Sequence, residues 1–488
     1  MPTSQALKLD ARAAPTLAGQ LVHALERAIG QGRYAPGVRL PAERVMAARL
    51  QLSRTTVTHA YRELESRGLV RSHVGRGTVV CARPAPGDAP FAWSGKLAAA
   101  AQRANDTFLL GFMKDAADPN LISMAAGSPA LEVFPVDEFR RAADHILRRQ
   151  SSAALGLAPT EGQPALRQAI AERERTRPER VLVVNGSQQG LDLLARSLLD
   201  PGDVAIMDRP GYLGAIQTFR AAGANVVGWD LRRAELDELE DLILRYRPKL
   251  LYTNPTFQNP TGRTFTIRER RDLLALAARY RLPVIEDDPY RETYLESPPP
   301  PSLYELDEHN VVIRLGTFSK TLAPGLRLGW VAAAEYISGQ LALMKNRANA
   351  FSEGLGQLVI AEFLRHGLFD AHLERLRAEH LRRRSAMARA LAARFPHHAL
   401  EWTPPQGGLN FWCKLRGGVE VRPLLQQAQV RGMVFAKGEV FYPDPAGHDE
   451  FRVCFALHPP AKIEEGIRRL GEAWRAVKPR SAATLPLV

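Results

Sequence analysis

The fold turns on residues 311–330, "VVIRLGTFSKTLAPGLRLGW". The opening run, "VVIRLGTF", is apolar and β-branched enough for a buried strand. Lysine is depleted in strands and favours solvated faces. Lys320 nevertheless follows that run, with Thr321, Pro324, Gly325 and Arg327 behind it. A lysine at the end of a buried strand delivers its amine into the crevice at the edge of the sheet.

Strand-like runs alternate with helical ones around this stretch: "RVLVVN", "DVAIMD", "NVVGWD", "KLLYTN" and "LPVIEDD" precede "NVVIRLG". That βαβα rhythm predicts a mostly parallel sheet in an α/β domain. After about residue 335 the pattern changes to long helices and then short strands, "GGLNFWCKL" and "FRVCFALH". A smaller α+β subdomain closing over the first is the expectation.

Ligands of open α/β sheets sit at the carboxyl ends of the strands. At "VLVVNGSQQGL" a strand runs into Gly186, Ser187 and Gln188, where the free amides of a helix start make an anion seat. At "LPVIEDDPY" a strand ends in three acids and Tyr290. Such carboxylates bind a metal, cap a loop or pair with a ring nitrogen, and an isolated "EDD" also reads as a solvated turn. At "LLYTNPTFQNPTG", Asn259 can donate to an aromatic oxygen or simply belong to a loop. In combination, a strand-end lysine, an acid 33 residues before it, an earlier asparagine and an anion seat match pyridoxal 5'-phosphate. The lysine holds the cofactor covalently, and a carboxylate keeps its pyridine nitrogen protonated so that the ring draws electrons.

The N-terminal stretch has a different character. "TLAGQLVHALERAIGQG" places Leu17, Leu21, Leu25 and Ile29 on one helical face, with Gly32 as the stop. "PAERVMAARLQ" is a short second helix with Pro41 suited to its first position. "LSRTTVTHAYRELESRG" opens on Ser53 as an N-cap and buries Val57, Tyr61 and Leu64. "LVRSHVGRGTVV" then reads as two short strands around the turn Val74-Gly75-Arg76-Gly77. Three helices and a wing make a winged helix-turn-helix. "ARPAPGDAPFAWSG" begins a Pro-, Ala- and Gly-rich linker over residues 84–118.

Charge and composition agree with this division. At 488 residues the chain exceeds one ordinary core. The net charge is +13, yet residues 1–83 alone hold thirteen Lys and Arg against five Asp and Glu. A small basic head on a nearly balanced body points to a polyanionic partner. No apolar run approaches the roughly 20 residues that span a bilayer, and "MPTSQALKLDARAAP" lacks the apolar segment of a secretory signal. Cys81, Cys413 and Cys454 have no metal-ligand spacing, which fits a reducing cytoplasm and argues against a zinc site.

Residues 119 to about 475 resemble the fold-type I aminotransferases, in the branch of the kynurenine and α-aminoadipate transaminases. The motifs "AAGSPALEVFP", "NGSQQGL", "RPGYLGA", "QNPTG", "EDDPY", "TFSKTLAPGLRLGW" and "FRVCFA" carry the likeness. The resemblance implies that Lys320 is the cofactor-binding, catalytic lysine and Asp287 the partner of the pyridine nitrogen. It makes Asn259 and Tyr290 the donors to the phenolic oxygen, and Tyr212 the aromatic stacked on the ring. Ser187, Gln188, Thr317, Ser319 and Arg327 then grip the phosphate, while Arg452 takes a substrate or effector carboxylate.

Residues 16–83 are similar to the winged helix of GntR-type regulators through "RLPAER", "LSRTTVTHAYRELESRGLV" and "GRGTVV". The third helix of such domains enters the major groove by its N-terminal residues. That implies DNA contacts by Ser53, Arg54, Thr55 and Thr56, with Arg44 from the second helix and Gly75 and Arg76 at the wing tip. Both halves in this order resemble the MocR subfamily of bacterial regulators. The implied organisation is a DNA-binding domain over 1–83, a linker over 84–118 and an aminotransferase-like domain over 119–488. The larger part of that domain is expected at 119–335 and the smaller at 336–478. The implied function is a pyridoxal phosphate-dependent regulator that senses an amine, an amino acid or the cofactor itself. It would act as a cytoplasmic homodimer at the nucleoid. The alternative is an active aminotransferase with an accessory head. One departure is Leu157 in "LGLAPTEG". Relatives carry a tyrosine there that reaches the partner subunit's phosphate, a bond leucine cannot make.

Overall fold

The computed structural model describes residues 16–73, 77–81, 93–103, 118, 120–129 and 131–477. The chain divides into two compact units, Met1–Gln102 and Arg103–Val488. Gly75, Arg76 and most of the 84–118 stretch lie outside the described residues.

In the first unit, helices α1 (Leu17–Gly30), α2 (Glu43–Leu50) and α3 (Arg54–Ser66) precede strands β1 (Val70–His73) and β2 (Gly77–Val80). The strands pair antiparallel, from Val70 opposite Val80 to His73 opposite Gly77. Thr16 caps α1, its hydroxyl accepting from Gly19 N, and Ser53 caps α3 by accepting from Thr56 N. Leu21, Leu25, Val57, Tyr61, Leu64, Val70 and Val80 form one buried core. Pro41 departs from expectation: α2 starts at Glu43 behind Ala42, so the proline stands outside the helix. The reason is tertiary, because the Pro41 carbonyl accepts a 2.8 Å hydrogen bond from Tyr61 in α3.

After strand β3 (Ile122–Ser123), the second unit is built on a seven-stranded sheet. Its strands are β4 (Val181–Val184), β5 (Val204–Arg209), β6 (Asn225–Asp230), β7 (Leu250–Thr253), β8 (Val284–Asp287), β9 (Val312–Thr317) and β10 (Gly329–Ala332). The order is β4-β10-β9-β8-β7-β5-β6. Only β10 runs antiparallel to its neighbours β4 and β9. It begins with glycine directly after a turn and no helical run separates it from β9, so the alternation of runs does not reveal it. Its consequence is functional: the turn from β9 into β10 brings Arg327 back beside the end of β4.

Beyond Ala332 the chain forms helices, the longest being Leu368–Arg394, and a second, four-stranded sheet. That sheet contains Leu400–Trp402, Asn410–Leu415, Glu450–Cys454 and Ala436–Lys437. Ile122–Ser123 pairs in parallel with Met433–Val434, and Ile122 and Met124 enter the core of this smaller layer. The smaller layer therefore draws on both ends of the unit and not on residues 336–478 alone. No helix among the described residues is long and apolar enough to cross a membrane.

Candidate functional site

The carboxyl ends of β4, β5, β7, β8 and β9 open on one cavity of about 370 Å³. Period-2 alternation sends the three acids of "EDD" to different places. Glu286 accepts from the amides of Leu303 and Tyr304, and Asp288 pairs with the buried Arg314 at 3.0 Å. Asp287, between them, lines the cavity. Its Oδ2 accepts from the Tyr252 hydroxyl at 2.6 Å, and its backbone carbonyl accepts from the Asn254 amide. Its other oxygen, Oδ1, is buried without a partner among the described residues. Burial pushes this carboxyl up to about 6, against the Tyr252 hydrogen bond that favours the charged form.

Lys320 lies three residues beyond β9, and its Nζ donates to the Gly127 carbonyl at 2.7 Å. Burial brings its amine down to about 8, and the Arg452 guanidinium acts in the same direction. Arg452 stands in the smaller layer's sheet. It donates from Nη1 to Asn259 Oδ1 at 2.6 Å and from Nη2 to the Ala125 carbonyl at 2.5 Å. The guanidinium carbon lies 4.8 Å from the centre of the Phe441 ring, and Nε is buried without a partner among the described residues. Since Asn259 uses its oxygen on Arg452, its amide nitrogen is the group left to donate. Tyr290 is buried beside Asn259 in the same wall.

The anion seat is equally well defined. Gly186 holds φ +77° and ψ 160°, a region essentially reserved for glycine, and starts the helix Ser187–Leu198. A Cβ on Gly186 would stand 2.7 Å from Arg327 Nη2, so the guanidinium lies directly over the turn. Thr317 and Ser319 hydroxyls are 3.1 Å apart. The Tyr212 hydroxyl donates to Gln188 Oε1 at 3.2 Å, and Gln188 donates onward to Thr218. Burial pushes the Tyr212 phenol up to about 12.

The structure thus gathers Lys320, Asp287, Asn259, Tyr290, Tyr212, Ser187, Gln188, Thr317, Ser319, Arg327 and Arg452 around one cavity. Two groups here escaped sequence reasoning. Tyr252 and Asn254 brace Asp287, and both sit in "LLYTN", which reads simply as an apolar strand and its exit. These residues fit pyridoxal 5'-phosphate. The orphaned Asp287 Oδ1 suits a pyridinium, Lys320 suits the carbonyl carbon, and helix amides with Arg327 suit a phosphate. Among the described residues, no cluster of three or more His, Cys, Asp or Glu is arranged to hold a metal ion.

The first unit presents a second candidate surface. Ser53, Arg54 and Thr55 at the start of α3 are exposed, as is Arg44 on α2. Thr56 is half-buried, its hydroxyl 2.7 Å from that of Ser53. Glu43 steadies this end, accepting from Thr58 at 2.8 Å and lying 3.6 Å from Arg54 Nε.

Comparison with known proteins fits both sites. Residues 119–470 match the aminotransferase class I and II family, and residues 17–80 match the gntR family of bacterial regulatory proteins. The 2-aminoadipate transaminase of Thermus thermophilus is 36% identical over 80% of this chain and 98% of its own length. The crystal structure of α-aminoadipate aminotransferase from the same species, complexed with N-(5'-phosphopyridoxyl)-L-leucine, superposes with a TM-score of 0.75. It covers 79% of this chain and 99% of its own, at 36% identity. The probable rhizopine catabolism regulatory protein MocR of Rhizobium meliloti is 30% identical over 99% of this chain and 98% of its own length. The larger part of this chain belongs to the class I and II aminotransferases, and the whole chain, head included, belongs to the MocR group of GntR-type regulators.

Proposed function

We propose that this chain is a DNA-binding transcription regulator that carries pyridoxal 5'-phosphate and senses an amino acid or other primary amine with it. The observation that carries the reading is the presence, in one chain, of an exposed recognition-helix start and a buried cavity holding Lys320, Asp287 and Arg452. When bound, pyridoxal phosphate supplies a carbonyl carbon that condenses with amines and a ring that draws electron density.

The chain's own residues do the rest. Lys320 Nζ, brought down to about 8, offers an unprotonated amine under mildly basic conditions. Asp287 Oδ1 holds a proton at the pyridine nitrogen, while Tyr252 fixes Oδ2. The Ser187 amide, Arg327 and the hydroxyls of Thr317 and Ser319 bind the phosphate. Tyr212 packs on the ring, and Asn259 and Tyr290 orient its phenolic oxygen. Arg452 takes the effector's carboxylate. An effector held by Arg452 beside Lys320 would change the contacts that these two side chains make with the Gly127 and Ala125 carbonyls and with Asn259, the condition for coupling to DNA binding. We assign the protein to the cytoplasm, at the nucleoid, as a homodimer.

A second reading, a working aminotransferase with an accessory head, draws on the completeness of the cavity, in which Lys320 would also carry the transferred proton. Binding to the DNA upstream of the protein's own gene separates the two. The assay is run at physiological salt with excess competitor DNA. Tight, sequence-specific binding that shifts with pyridoxal phosphate or an amine supports the regulator. Weak, salt-sensitive and sequence-blind binding overturns it in favour of the enzyme.

A further inference from the structure

We infer that Asn254 is a positioning residue: it holds the two groups that grip the cofactor ring, Asp287 at the nitrogen and Asn259 at the phenolic oxygen, at a fixed spacing and links them to Arg452. The inference rests on the cofactor assignment above and adds the side chain that sets its geometry. Strand β7 lies between β5 and β8 in the sheet. Its pairing with β8 ends at Thr253 opposite Glu286, so Asn254 and Asp287 stand one step beyond the last ladder pair. There the Asn254 side chain takes over from the ladder. Its Nδ2 donates to the Asp287 carbonyl, and its Oδ1 accepts from Asn259 N at 2.9 Å. Its backbone N donates to Asp208 Oδ2, on β5, at 2.8 Å. All four residues are buried.

A carboxamide carries a donor and an acceptor on one planar group, whereas an ionised carboxylate only accepts and a hydrocarbon does neither. One Asn side chain therefore holds a carbonyl of β8 and an amide of the loop after β7 together. The bonds continue from there, because Asn259 Oδ1 accepts from Arg452 Nη1 at 2.6 Å. A continuous path of hydrogen bonds thus runs from Asp287 through Asn254 and Asn259 to Arg452 in the smaller layer's sheet. Asn254 touches the backbone of Asp287 and of Asn259, so losing its carboxamide loosens both ring contacts at once. The phosphate seat at the end of β4 is separated from β7 by β10, β9 and β8 and is held by Gly186 and Arg327. The consequence of the loss belongs to the ring and not to the phosphate.

The test titrates the full-length apoprotein, wild type and Asn254→Ala, with pyridoxal 5'-phosphate and with unphosphorylated pyridoxal. Absorption of the bound ligand gives Kd, and its pH dependence gives a midpoint. Kd is expected to rise about tenfold or more for both ligands, by factors that agree within about threefold. The midpoint is expected to rise by about half a unit or more. A looser donor at the phenolic oxygen and a looser carboxylate at the ring nitrogen both favour keeping the titrating proton. If Asn254→Ala does not fold, Asn254→Ser replaces it; the serine hydroxyl is too short to span both partners, so the same two shifts are expected. A lowered Tm with Kd and midpoint unchanged makes Asn254 a purely structural residue and overturns the inference. A loss confined to pyridoxal 5'-phosphate places its action at the phosphate and overturns it as well. A wild-type protein that binds neither ligand overturns the cofactor assignment and this inference together.

Discussion

The Tyr252 hydroxyl donates a 2.6 Å hydrogen bond to Asp287 Oδ2, and both side chains are buried. The bond joins neighbouring strands β7 and β8 and leaves Oδ1 as the carboxylate oxygen without a partner among the described residues. Tyr252→Phe keeps the packing and removes the donor. A hydrogen bond to a charged group contributes about 1.5–3 kcal/mol, so cofactor Kd should rise about tenfold or more. Equilibrium titration of the apoprotein checks this, and an unchanged Kd would remove Tyr252 from the positioning of Asp287.

The same pair sets a pH dependence. Burial raises the folded-state value of Asp287 to about 6, well above the roughly 3.9 of an unfolded aspartate. The folded apoprotein therefore binds the extra proton, and the stability this contributes is present below about pH 4 and lost as pH rises through about 6. The size of the effect is on the order of 2–3 kcal/mol. Asp287→Asn does not titrate, so the Tm of that variant minus that of wild type should climb between about pH 4 and 6 and then level off. A flat difference would show that the Asp287 carboxyl is not raised.

Gly186 combines two constraints that point to the phosphate. Its φ of +77° with ψ 160° costs a residue with a side chain about 1–3 kcal/mol. A Cβ would also displace Arg327 Nη2 from its place over the turn. Gly186→Ala should weaken pyridoxal phosphate binding more than tenfold and leave the weak binding of unphosphorylated pyridoxal unchanged. Equal losses for the two ligands would place the phosphate elsewhere.

Much of this site is legible in the sequence because the groups at the strand ends are turn residues, acids and a misplaced lysine, each conspicuous against an apolar run. What escapes is the support. Tyr252 reads as strand core because its acceptor is on the next strand, 35 residues away. Arg314 draws no notice in "VVIRLG", a run read simply as apolar, yet it is buried against Glu174 and Asp288, with Glu174 contributed by a distant helix end. β10 is hidden by the glycine that opens it directly after a run of turn residues, and Pro41 by a tertiary hydrogen bond from Tyr61. Local pattern reveals which residues a strand offers at its end; it does not reveal which neighbour steadies them.

Arg54 stands at the first position of α3, exposed, and among the described residues only the 3.6 Å approach of Glu43 holds its side chain. An exposed ion pair of that kind contributes at most about 1 kcal/mol to stability. A bidentate contact to a base carries about 1–3 kcal/mol of discrimination. Arg54→Ala should therefore leave Tm nearly unchanged, weaken operator binding about tenfold or more and relax the preference at one base pair. Fluorescence anisotropy with single-base operator variants checks this. A loss spread evenly over all sequences would make Arg54 a phosphate contact instead.

Leu157 is 89% exposed on a loop that is otherwise firmly held. Lys345 donates to the Thr160 carbonyl at 2.6 Å, Val183 N donates to the Glu161 carbonyl at 2.8 Å, and Gln163 N donates to Gln357 Oε1 at 2.7 Å. A side chain at 157 is thus delivered from a fixed backbone to whatever lies outside the protomer. A leucine so presented offers apolar surface and no donor. In the proposed homodimer, Leu157→Tyr supplies the hydroxyl that the family resemblance implies for the partner subunit's phosphate. A hydrogen bond to a phosphate contributes about 1.5 kcal/mol or more, so cofactor Kd should fall about tenfold, with little change in the stability of the apoprotein because the position is exposed. The gain should vanish on dilution below the dimer dissociation constant. A gain that persists in the monomer, or no gain at any concentration, would mean that this loop does not reach across to a neighbouring site.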